Sequence, residues 1–185
     1  NAESLPRVRE NLIKGENAPR WKLVRERAEK PYTTRAEPSL EVSHDAALEK
    51  AAVTKAFVYL MTGAETLGGE AVALTRDYMA AVSFGNLLDV TRQIGSAICS
   101  AALVYDWCYD LMSPEDRESI RQDLMRLADD MEIGWPPFKQ TIVNGHGAEA
   151  QVNRDLLCMA IAIYDEDPVP YRYCAYRILE ELVPM

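Results

Sequence analysis

Histidine is nearly missing from this sequence: His44 and His146 are the only two in 185 residues, and they form no His-x-x-x-His pair. Zincin-type metal chemistry therefore lacks its usual signal. There is no glycine-rich phosphate loop and no G-x-S-x-G elbow, so nucleotide chemistry and serine hydrolysis lose theirs too. No apolar stretch approaches the roughly 20 residues that a transmembrane helix needs. The four cysteines contain no C-x-x-C pair and no histidine at zinc-finger spacing, which argues against a cysteine metal site. Cys99 and Cys108 fall about 13 Å apart on one predicted helix, too far for a disulfide. Three of the four cysteines sit in apolar helical surroundings and read as buried free thiols.

An excess of basic residues is lacking too, with 20 Lys/Arg against 29 Asp/Glu. The net charge of −9 argues against a general nucleic-acid binder. It is unevenly spread, because residues 1–36 carry nine Lys/Arg against five Asp/Glu and the remainder is strongly acidic. The chain opens Asn-Ala-Glu-Ser without a basic-then-apolar leader. An intact signal peptide is not expected here, although one already removed is compatible with this start.

What is present is helical periodicity. No period-2 run of β-branched residues occurs after Glu41, so the fold class expected is all-α. Residues 1–42 read as a lead-in: two short helices, the first opened by Ser4-Leu5-Pro6, then an extended connector with two prolines. Residues 43–185 read as sequential antiparallel helix hairpins. Ser43 is the expected N-cap of a helix over 45–61 that stops at Gly63. Further helices are expected over 67–84 and 88–111. Ser113-Pro114-Glu115-Asp116 signals the next start clearly, with a cap, a proline and acids in the first turn, and Gly134 its stop. The last two helices are expected over 147–164 and 170–182. The 45–61 helix is apolar on most of its circumference, which calls for neighbours on more than one side and suits a two-layer helical toroid.

The stretch that organises the functional reading is Asn144-Gly145-His146-Gly147-Ala148-Glu149-Ala150-Gln151. With a helix starting near Gly147, His146, Glu149 and Asn153 share one face. His146 is the side-chain type whose unperturbed pKa lies nearest neutrality, suited to a base or a neutraliser. Glu149 either works beside it or caps the helix start. Gly145 and Gly147 leave the backbone bare for a ligand's approach. Trp135-Pro136-Pro137-Phe138-Lys139 leads to the same place, either as a cleft wall with Lys139 facing an anion or as a stiff connector. Arg154 is either a clamp for a carboxylate or sulfate, or the structural partner of Asp155. Tyr105-Asp106-Trp107-Cys108-Tyr109-Asp110 offers Tyr105 and Trp107 as a sugar-stacking surface, with core packing as the competing role. His44 reads as a capping or surface residue, and Tyr164 and Tyr171 as packing residues.

Two stretches carry a family resemblance. Ala102-Leu103-Val104-Tyr105-Asp106-Trp107-Cys108-Tyr109-Asp110, continuing through Leu111 to Arg117, resembles the A-Y-D-W-L-Y-D stretch of the heparinase II/III-like polysaccharide lyases. Asn144 to Glu149, with Arg154-Asp155-Leu156-Leu157 and Ala160 to Glu166, resembles the active-site helix of that family's heparinase II branch. Asn144 departs from the threonine expected there. The resemblance implies a secreted or periplasmic bacterial lyase that cleaves heparin- or heparan sulfate-like glycosaminoglycans by β-elimination. It implies a partial, incomplete (α/α) toroid followed by β domains, no membrane or nucleic-acid partner, and a homodimer as one possible state of the longer protein. By motif match His146 is the catalytic histidine and Glu149 its carboxylate-handling neighbour, with Asn144 near the uronate. The family's acid/base tyrosine, second histidine and zinc site would lie beyond Met185, so no cofactor is expected within this segment and the segment alone is expected to be inactive. Two other readings stand beside this one: a non-catalytic carbohydrate-binding helical domain, and an (α/α) glycoside hydrolase using Asp106, Asp110 or Glu149.

Overall fold

The structure, a computed structural model, describes residues 2–32, 44–84, 91–130 and 151–182. Every regular element among them is helical, and the all-α expectation holds. Leu5–Leu12 (α1) and Asn17–Ala28 (α2) form the lead-in, followed by Ala46–Thr62 (α3), Glu65–Ala81 (α4), Thr91–Trp107 (α5) and Pro114–Asp129 (α6). A π-helical turn over Gln151–Leu156 runs into Leu157–Ala162 (α7), and Val169–Tyr176 (α8) runs into a second such turn over Arg177–Leu182.

The helix ends follow local chemistry, with one correction. Asp45, not Ser43, caps α3: its carboxylate accepts hydrogen bonds from the backbone N–H of Ala47 (3.0 Å) and Leu48 (2.9 Å). Aspartate is as good a cap as serine, and Ser43 itself lies outside the described residues. Gly63 ends the helix as expected, with φ at +74°, a region that costs other residues a steric clash. At α6 the expected signal is realised as a reciprocal capping box between Ser113 and Asp116. The expected 88–111 helix stops instead at Trp107, and Tyr109–Leu111 turns as a 3-10 segment. This break separates Tyr109 from the helix that carries Tyr105.

Contacts along the helices fix their directions. Glu49 meets Tyr78, Lys55 meets Glu70, and Tyr59 lies against Gly68, so α3 and α4 form an antiparallel hairpin. Glu49 also meets Ser96 while Phe57 meets Trp107, so α3 and α5 run parallel. Gly95 abuts Asp155 and Cys99 meets Cys158, so the 151–162 helix runs parallel to α5. A second row, α4 and α6, is tied by Arg76 to Asp116 and by Arg126 to the carbonyls of Met79 and Val82. The result is two rows of helices, with α3, α5 and α7 side by side in one.

The main core lies between these rows. Ala56, Met79, Ile98, Ala102, Val104, Ile120, Leu124, Leu127 and Met159 are all fully buried. The lead-in docks on the far side of α3 through Trp21, Ala28, Val58 and Met61. α3 thus has α2, α4 and α5 around it, which accounts for its nearly continuous apolar surface. Lys55, 1 % exposed, bolts this junction: its ammonium donates to the Ala28 carbonyl (2.6 Å), the Lys30 carbonyl (3.1 Å) and Glu70 (2.6 Å).

Candidate functional site

Because α3, α5 and the 151–162 helix are parallel, their N-terminal ends gather at one end of the row. Glu49 is buried there, 4 % exposed. Its carboxylate accepts hydrogen bonds from the Tyr78 hydroxyl (3.0 Å) and the Ser96 hydroxyl (2.8 Å). His44 Nε2 stands 3.2 Å from Glu49 Oε1, close enough for an ion pair when the ring is protonated but outside hydrogen-bonding geometry. Tyr78 in turn accepts from the Asp45 backbone N–H (3.1 Å), and Tyr32 donates to the Asp45 carboxylate (2.7 Å). Burial and the neighbouring Glu49 and Asp45 charges push the Tyr78 phenol far above its ordinary pKa, so it remains a donor.

Asp155 joins this end from the next helix. It is completely buried, and Arg154 grips it through two bonds, Nε to Oδ1 (2.5 Å) and Nη2 to Oδ2 (2.9 Å). Of the two roles open to Arg154, the pairing with Asp155 is formed, while the Arg154 side chain remains 62 % exposed. Gly95 makes the fit possible: a Cβ there would come within 2.7 Å of Asp155 Cγ and closer still to its oxygen. Cys158 Sγ lies 3.9 Å from the Cys99 carbonyl one turn further on. Its contact with Cys158 is the largest influence lowering the Cys99 thiol below its ordinary pKa.

Trp135, Lys139, Asn144, His146 and Glu149 lie outside the described residues. The described chain resumes at Gln151, at this same end of the row. The two aromatic candidates are placed differently from a stacking surface. Tyr105 is completely buried and packs edge-on to Tyr109 at 5.7 Å, so its ring has no free face for a sugar. Trp107 is half-buried, tilted against Phe57 at 5.8 Å between α3 and α5. Core packing takes all of the Tyr105 ring, whereas Trp107 packs against the core with part of its ring still exposed.

At the opposite end of the row lies an open cavity of about 560 Å³. Asp106 and Tyr109 line one side, with Tyr164, Asp165, Glu166 and Tyr171 on the other. Tyr109 donates to Glu166 (2.7 Å), and the Arg117 guanidinium covers its ring at 4.2 Å. Tyr164 and Tyr171, expected to pack, stand exposed and edge-to-face at 5.1 Å. Asp106 has an open face, yet the bulk of protein around it raises its carboxyl above the usual range. Both tyrosines follow the α7 apolar run, in a segment where Asp165, Glu166, Asp167 and Pro168 already signal an exposed turn. That turn was the available clue to their exposure.

Among the described residues no group of three or more His, Cys, Asp and Glu could hold a metal ion, and no helix is long and apolar enough to cross a membrane. The arrangement defines the class: an all-helical, two-row domain with a His–Glu–Tyr–Ser cluster around the buried Glu49 at one end and an acidic, tyrosine-lined cavity at the other. Comparison with models of known protein families and with curated proteins finds no match to this chain.

Proposed function

We propose that this chain is the helical portion of a polysaccharide lyase of the heparinase II/III-like kind, part of an incomplete (α/α) toroid, acting on uronate-containing glycosaminoglycans. The supporting observation is spatial. The described parts of the two stretches that carry the resemblance, residues 102–107 of α5 and 154–162, lie on neighbouring parallel helices that pack together further up through the Gly95–Asp155 and Cys99–Cys158 contacts. A toroid of helix hairpins arranges its rows in this alternating way.

In the proposed reaction His146 removes the C5 proton of the uronate or neutralises its carboxylate, according to the epimer. Glu149 handles the carboxylate side beside it, with Asn144 near the same group. Neutralisation is needed because charge building at C5 would otherwise sit beside a full negative charge. A fixed stabiliser of that sort contributes roughly 3–4 kcal/mol, and a positioned base about 10²–10⁴ in rate. Trp135 and Lys139 form the approach wall. Arg154, anchored by Asp155, keeps an exposed side chain for an anionic sugar. The 4-linked sugar leaves with a proton from an acid outside this segment. The proposed setting is secreted or periplasmic, with an acidic polysaccharide as partner, any zinc belonging to further β domains, and a homodimer as the assembly to test.

The experiment places this chain in its longer parent and incubates it with heparin, heparan sulfate, chondroitin sulfate and alginate. Ultraviolet-absorbing 4,5-unsaturated uronate from at least one polymer is the expected product. Saturated reducing ends alone would replace the lyase with a hydrolase. The tyrosine-lined cavity favours a second reading, a carbohydrate-binding helical domain, whose signature would be binding without any new chain ends.

A further inference from the structure

The cavity at the far end of the helix row has a chemistry that a uronate polymer does not fit. Three carboxylates line it, those of Asp106, Asp165 and Glu166, and no Lys, Arg or His does so among the described residues. Asp106 and Asp165 have no hydrogen bond or ion pair with any described residue. Arg117 lies over the Tyr109 ring and donates to the Met112 carbonyl, and Arg121 is held by Glu118. A polyanion entering here would meet uncompensated like charge.

Three tyrosines complete the lining. Tyr164 and Tyr171, 48 % and 39 % exposed, stand nearly perpendicular, with 82° between their rings, and Tyr109 is pinned by its bond to Glu166. Aromatic faces at right angles beside carboxylates attract a cation through the ring quadrupole as well as by charge. Behind them Tyr105 is completely buried, and its hydroxyl lacks a hydrogen-bond partner. Burial first, and then the Glu166 charge, raise its pKa and keep the phenol protonated. A volume near 560 Å³ lies within the range of small-molecule sites.

We infer that this cavity is a binding site for a protonated amine carried on a sugar ring, an amino sugar with an unsubstituted nitrogen. The ammonium sits between Asp106 and Asp165, the ring CH groups lie on Tyr164 and Tyr171, and the sugar hydroxyls meet Glu166. The site shares no site residue with the lyase reading, and its readout is binding without turnover, so either inference can fail without the other.

The test is calorimetric titration of the full chain at low salt with a β-1,4-linked glucosamine tetramer. Its N-acetylated counterpart, a uronate tetramer and the linear polyamine spermine serve as comparisons. The glucosamine tetramer should bind, weaken on raising salt, and lose roughly three- to thirty-fold in affinity with Tyr164→Ala. Asp165→Asn, an isosteric change on the surface, should weaken it similarly should the Tyr164 variant fail to fold. Equal binding of the N-acetylated tetramer would make the cavity a neutral-sugar site and overturn the inference. Equal binding of spermine would reduce it to a charged patch, and no binding of the glucosamine tetramer would end it.

Discussion

Substituting Gly95 by alanine separates two opposed effects that the helix packing sets against each other. In an isolated helix interior the change stabilises by about 1 kcal/mol, because glycine loses more backbone freedom on folding. Here the new Cβ would lie 2.7 Å from Asp155 Cγ and overlap its carboxylate oxygen. Asp155 is completely buried and gripped by Arg154 through two bonds, so its carboxylate has no easy retreat. Overpacking of this kind costs about 1–3 kcal/mol. Loosening the buried carboxylate from its partner costs more, up to about 3–5 kcal/mol for full loss of a buried pair, discounted here because Arg154 is mostly in water. The net expectation is a loss of about 2–3 kcal/mol, or roughly 5–10 °C in Tm for a chain of this size. Thermal and urea unfolding followed by circular dichroism measure it. In an Asp155→Ala background the overlap with the carboxylate is removed and only a tight 3.2 Å contact with the Cβ at 155 remains, so Gly95→Ala should become close to neutral. A Gly95→Ala protein as stable as the parent would refute the close packing of the 151–162 helix on α5.

Lys55→Met should lower stability by about 2–4 kcal/mol at unchanged m-value, since the carbonyls of Ala28 and Lys30 lose their donor while half-exposed Glu70 returns to water; a change within the error of urea denaturation would contradict the bolt. Burial tends to raise the Asp45 carboxyl, but hydrogen bonds from Leu48, Tyr32 and Ala47 outweigh it and hold it below the ordinary value. Its stabilisation is therefore present above the unfolded pKa of about 3.9 and fades as pH falls through the lower folded value. Asp45→Ala should accordingly cost about 1 kcal/mol at pH 7, and the gap to the parent should narrow in strong acid, as unfolding curves across pH would reveal. Thiol alkylation with mass mapping at pH 8 should label Cys99 first, because its pKa is lowered, whereas burial pushes Cys108 and Cys174 up to about 12 and should protect them until the chain unfolds.

Helix identity is the most legible feature of the sequence because period and most caps point the same way, even where a cap or stop shifts, as at Asp45 and Trp107. Ser113-Pro114-Glu115-Asp116 was read directly as a helix start and became the reciprocal capping box. The apolar surface on most sides of the 45–61 segment announced a helix with several neighbours, and α2, α4 and α5 surround it. Side-chain exposure was harder. Tyr105 and Tyr164 look alike in sequence, each beside an acid near a helix end, yet one is fully buried and the other forms a cavity wall. What separates them is the break after Trp107 and the turn after Ile163, and both depend on packing partners distant in sequence. The His44–Glu49–Tyr78–Ser96 cluster was invisible for the same reason. Its members come from three helices and the segment before the first, and only the parallel run of α3 and α5 brings Glu49 and Ser96 within 2.8 Å. Of the candidates carried by the Asn144–Gln151 stretch, His146 and Glu149 remain resemblance-based proposals.

The central claim rests on His146, and one rate measures it. In the longer parent protein, release of unsaturated uronate from the best glycosaminoglycan is followed for the parent and for His146→Ala, with unfolding curves recorded alongside. The proposal predicts a loss of at least about 10² in kcat with stability unchanged. Full activity in His146→Ala would contradict it.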